Sequence, residues 1–113
     1  MMDMQRYLLA LALAALPIAA IAATIAPSAI VASPSTFDGQ TVTVTGTVSD
    51  YKTHQSAAGE VARYNLCDSK CVIVIDRTAQ AHADNSAATI TGKFHASLQR
   101  PKSTLTNVIT IGF

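Results

Sequence analysis

Charge is scarce in this sequence: charged residues make up 13% of it, and 8 Lys and Arg stand against 7 Asp and Glu for a net +1. A domain built to grip phosphate backbones usually shows a clear basic excess, and the overall balance supplies none. Tryptophan is absent, aromatics are 5%, and there are 2 cysteines. No Gly-rich phosphate loop or nucleophile motif is present. The expectation is therefore a protein that is not an enzyme and carries no cofactor and no metal. The carboxylates Asp38, Asp50, Glu60, Asp68, Asp76 and Asp84 fall mostly at expected turns and strand ends, where aspartate ordinarily serves turn geometry. A chain of 113 residues has room for at most one small domain.

Apolar residues, by contrast, crowd the start of the chain. "MMDMQRYLLALALAALPIAAIAATIAPSAIVA" has a short polar start with Arg6, an apolar run from Leu8 and small residues further on, the order of a secretory signal. Ala20-Ile21-Ala22 matches the small-x-small cleavage rule cleanly, whereas Ile30-Val31-Ala32 has a bulkier first residue. Because the domain-like pattern begins almost at once after Ala32, the second site is favoured, and residues 1–32 are read as a cleaved signal peptide. The alternative is an uncleaved anchor over Leu8 to Ala32, long enough to span a bilayer but interrupted by Pro17, Thr24, Pro27 and Ser28. No cysteine follows the run to take a lipid. The expected location is exported, periplasmic or secreted. Loss of Asp3 and Arg6 with the leader leaves seven basic and six acidic residues.

Residues 33–37 read as an N-terminal arm and 38–113 as the domain. From Thr41 the alternation is strict, with Val42, Val44 and Val48 on one face and threonines on the other, a half-buried strand. "YKTHQSAAGE" reads as a loop, and "VARYNLC" and "CVIVID" as two strands of a hairpin. "RTAQAHADNS" reads as a short helix with Thr78 as a possible cap and Asn85 as a stop. "AATITGKFHAS" and "LTNVITIGF" are the last two strands. A sheet this small covers its apolar faces by closing into a barrel, and Gly46 and Gly92 would allow the bending.

If Cys67 faces Cys71 across the hairpin, Leu66 faces Val72 and Tyr64 faces Val74. These four share the better core face, so the cysteines, Arg63, Asn65, Ile73 and Ile75 point outward. Export permits a disulfide, and a Cys67–Cys71 bond is the favoured reading. The C-x-x-x-C spacing lacks the βαβ setting of a redox pair. A metal site with His54, His82 or His95 would need ligands scattered over three segments. Ile73 and Ile75 would mark a contact site or be covered by the arm.

The pattern "TVTVTGTV … YNLCD … CVIVID … ATITGKF … NVITIGF" resembles the oligonucleotide/oligosaccharide-binding (OB) fold, and more narrowly small exported bacterial OB-fold proteins of unassigned role. The resemblance implies an all-β, five-stranded Greek-key OB-type barrel with a short helix between strands 3 and 4, preceded by the signal peptide. It also implies a ligand face on strands two and three, rimmed by the first and last loops. By position that face holds Tyr51, Lys52, His54, Arg63, Asn65, Arg100 and Lys102. The expected function is an exported, non-catalytic binding module for a partner protein, an envelope component or a small anionic ligand. Its alternatives are a single-stranded nucleic-acid binder and a metal- or redox-handling envelope protein using Cys67 and Cys71. Few aromatics and a net charge of +1 argue against nucleic acid.

Overall fold

The structure is a computed structural model that describes residues 23–113. The leader reading for residues 1–22 lies outside the described residues. Two short helices, α1 (Pro27–Ala32) and α2 (Pro34–Phe37), come first. Each carries a proline in its first turn, where the missing N–H costs nothing. The strands β1 (Thr41–Ser56), β2 (Gly59–Cys67), β3 (Cys71–Asp76), β4 (Ala87–Gln99) and β5 (Thr104–Ile111) follow. Among the described residues no helix is long and apolar enough to cross a membrane.

The strand order is β1-β2-β3-β5-β4, and β1 pairs with both β2 and β4, so the ladder returns to its start. β3 and β5 run parallel, and every other pair is antiparallel. The five strands, with their mixed pairing, thus close on themselves, and the expected Greek-key OB-type architecture is corrected in its helix: none lies between strands 3 and 4, and both helices sit ahead of β1.

Residues 77–86 hold turns in place of the expected helix. The Asp76 carboxylate accepts from Thr78 N at 2.8 Å, Thr78 Oγ1 at 2.6 Å and Gln80 N at 3.4 Å, much as a helix cap would. Ala79 and Asn85 then adopt φ of 52° and 69°, outside the right-handed helical region, and propagation stops. The expected loop over residues 51–60 is also corrected: β1 runs on to Ser56 and β2 begins at Gly59. This end of the hairpin is mostly exposed on both faces, so it lacks the apolar alternation that marks a half-buried strand.

Val42, Val44, Val48, Tyr64, Leu66, Val72, Val74, Ile90, Phe94 and Ile109 form the core. The β2–β3 register sets Cys67 opposite Cys71, Leu66 opposite Val72 and Tyr64 opposite Val74, and the two cysteines are joined in a disulfide. Where β1 and β4 approach their neighbours, only glycine fits: a Cβ on Gly46 would lie 2.9 Å from Cys67 O, and one on Gly92 2.5 Å from Thr110 O.

α1 adds Ile30, fully buried in the same core. Burying a side chain of that size contributes roughly 1.5–3 kcal/mol. Ser28 beside it donates from N and Oγ to the Asp68 carboxylate at 3.0 and 2.6 Å. Those bonds, the one from the Ser28 hydroxyl above all, hold the Asp68 carboxyl below its usual range. A second apolar cluster forms outside the main core from Val61, Ile75 and Val108, with Ile73, Leu98 and Leu105 packed on it. Ile73 and Ile75 are thus covered from the β4–β5 hairpin, not by the arm.

Candidate functional site

β2 presents Val61, Arg63, Asn65 and Cys67 on its outer side, because successive residues of a strand alternate faces. Directly across the ladder from Arg63 lies Lys52 of β1. That pairing depends on a bulge: Ser49 pairs with Asn65 and Lys52 with Arg63, so β1 carries one extra residue over this interval. Asp50 supplies the turn, with φ of 57°. The bulge places Lys52 outward. It also swings Tyr51 inward, where its ring stacks on Tyr64 at 5.5 Å between centroids. The Tyr51 hydroxyl donates to Gln80 O at 2.9 Å, and its amide donates to Asp84 at 2.9 Å. Burial first, then the charges of Asp76 and Glu60, raise the Tyr51 pKa. Tyr64 is raised further, by deeper burial and by Asp76. Tyr51 therefore stands apart from the other expected face residues.

Two depressions share Arg63 and His54. One is lined by Asp50, Lys52, His54, Arg63 and Asn65, among others. The second, of about 330 Å³, lies toward the β4–β5 hairpin and brings in Arg77, Leu98, Arg100 and Phe113. Lys102 sits next to Arg100 in the turn between β4 and β5. Lys52, His54, Arg63, Asn65 and Arg100 are thus brought onto one connected track, with Lys102 at its margin. A larger depression of about 540 Å³ continues from Leu98 and Phe113 across β4, where Lys93 and His95 lie among threonines.

Arg77 and Phe113 are members that the sequence reading missed. Arg77 follows β3 on the same parity as Ile73 and Ile75, and its N–H donates to Ile111 O at 3.0 Å. Its guanidinium lies over the Phe113 ring at 4.0 Å from the centroid, within cation–π range. Phe113 is 65% exposed. Gly112, at φ 81°, makes the turn that brings the ring there. A basic residue at outward parity just past a strand was the available signal for Arg77; Phe113 gave none until the turn at Gly112 was known.

The electrostatics follow from where the carboxylates go. Asp38 accepts from Ala96 N, Asp68 from Ser28 N and Lys70 N, Asp76 from Thr78 N, and Asp84 from Tyr51 N. Four of the six carboxylates beyond the leader are thus committed to backbone amides. Glu60 lies on the opposite parity from Arg63, which leaves Asp50 as the carboxylate lining the first depression. Five of the seven basic residues beyond the leader, Lys52, Arg63, Arg77, Arg100 and Lys102, line or adjoin the track. Like charges directly opposite in a ladder are destabilising, so the Lys52–Arg63 pair is a cost that a bound anion would relieve.

The histidines lie apart. His95 Nε2 is 2.9 Å from Thr110 Oγ1, His82 packs against Tyr64 with centroids 5.3 Å apart, and His54 lines the track. Among the described residues no three of His, Cys, Asp and Glu cluster as metal ligands would, and Cys67 and Cys71 are joined to each other.

No protein-family model matches the chain, and no curated protein does. A crystal structure of a proposed nucleic acid-binding lipoprotein from Klebsiella pneumoniae is similar in fold, with a TM-score of 0.55 and 20% identity, covering 79% of this chain and 87% of that one.

Proposed function

We propose that this protein is an exported, non-catalytic binding module that holds single-stranded nucleic acid along the track from Lys52 to Phe113. One observation carries the reading: two shallow depressions that share His54 and Arg63 adjoin, and between them they are bordered by Lys52, Arg63, Arg77 and Arg100. Cations spread over two adjoining depressions suit a polymer with repeated charges better than one compact anion. Modules that bind single strands combine a basic groove with aromatic surfaces on which bases stack, and the exposed Phe113 ring supplies such a surface. The nucleic-acid-binding description of the Klebsiella protein supports the same choice, and its lipoprotein description supports an envelope location. A partner protein, an envelope component or a small anionic ligand would meet the same surface, but none of them calls for both an exposed aromatic ring and cations spread over adjoining depressions.

The test is fluorescence anisotropy with a labelled oligothymidylate at several salt concentrations. For single strands the slope of log K against log salt is about −0.7 per phosphate neutralised. Three to five contacts therefore predict a slope of roughly −2 to −3.5. Arg63→Ala should weaken binding and make the slope shallower by about 0.7. Absence of binding at low salt, with tight binding of a small dianion, would replace the polymer reading by the small-ligand one.

A further inference from the structure

Part of the chain that the sequence assigns to a removable leader is built into the domain. Ile25 joins the sheet beside β1 in a parallel bridge to Val44, its N–H donating to Thr43 O at 2.8 Å and its carbonyl accepting from Thr45 N at 3.3 Å. α1 then sends Ile30 into the core at 0% exposure, with Pro27 also buried. Ser28 fastens the same turn of helix to Asp68, in the turn of the β2–β3 hairpin. A single β-bridge, a core contact and a polar clasp hold one eight-residue segment, Ile25 to Ala32.

A cut after Ala32 would remove all three. It would leave a hole where Ile30 sits and would strip Asp68 of both Ser28 bonds. The other small-x-small site, Ala20-Ile21-Ala22, ends three residues before Ile25 and spares every one of these contacts. It also has alanine at the position where the later site has isoleucine.

We propose that the Ala22–Ala23 bond is the one that a signal peptidase hydrolyses, so that the mature chain begins at Ala23. Water adds across that peptide bond, leaving a carboxylate on Ala22 of the released leader and a free α-amine on Ala23. The assignment rests on the export reading and is independent of the ligand.

The experiment expresses the full chain from Met1 in a bacterial host, recovers the folded protein from the envelope fraction, and reads its intact mass and N-terminal residues. A single N-terminus at Ala23 is expected. A start at Ser33, any other internal start, or a retained Met1 would overturn the assignment. Two variants sharpen it. Ala22→Leu should accumulate uncut precursor, whereas Ala32→Leu, at an exposed helix position, should be processed like the parent. Loss of processing in Ala32→Leu, or normal processing in Ala22→Leu, counts against the proposal.

Discussion

Asp68 ties the β2–β3 turn to the chain ahead of the sheet, and it does so only as an anion able to accept two hydrogen bonds from Ser28. Its folded pKa is depressed, so its contribution to stability is complete above the ordinary carboxylate value and is lost as pH falls through the folded one. Urea midpoints measured into the acid range should therefore show a limb below about pH 4 that is smaller in Asp68→Asn and in Ser28→Ala. An unchanged limb in both variants would count against the clasp. Asp68 was readable as a turn aspartate from its place in "CDSKC". Its partner was not: Ser28 lies 40 residues away, in a stretch whose apolar composition reads as leader. Composition records hydrophobicity, not destination, and Ile30 is apolar because it fills the core.

At the scale of elements, the β2–β3 hairpin was the most legible part of the molecule. Its inward residues Tyr64, Leu66, Val72 and Val74 are apolar on both strands, and a slip of one residue would expose all of them. That constraint sets Cys67 opposite Cys71. A bond closing so short a loop contributes about 2 kcal/mol by loop-closure entropy. Replacing both cysteines by serine should lower unfolding free energy by about that amount while leaving oligonucleotide affinity within about twofold, because the ladder and not the bond orients Arg63. Unfolding in urea and anisotropy on the same sample check both halves. The segment after β3 was misread because a capping aspartate and alanines resemble a helix start, and the positive φ of Ala79 is not encoded by its residue type. The bulge at Asp50 was hidden for a related reason. It turns Tyr51 into the interior and Lys52 outward, and a strand pattern read in strict alternation has no place for the extra residue. The parallel pairing of β3 with β5 joins residues more than thirty positions apart, beyond the reach of local periodicity.

For the whole molecule, the near-neutral net charge was the most misleading number in the sequence. Charges cancel in a sum but not in space: four of the five aspartates beyond the leader are spent on backbone amides, while Lys52, Arg63, Arg77 and Arg100 remain on one track beside Phe113. The candidate site was thus legible as a list of outward cations on β2 and the β4–β5 turn. Its continuity came only with the fold, which brings Arg77 and Phe113 together. The most direct test is amide chemical-shift mapping of the isotopically labelled protein titrated with a short oligothymidylate at low salt. Shifts should concentrate at Lys52, Arg63, Arg77, Gln99, Arg100 and Phe113, and Phe113→Ala should weaken binding roughly tenfold, as expected for loss of one stacked base. Shifts confined to the threonine face of Thr43, Thr45, Thr89 and Thr91, or no shifts at all, would contradict the account.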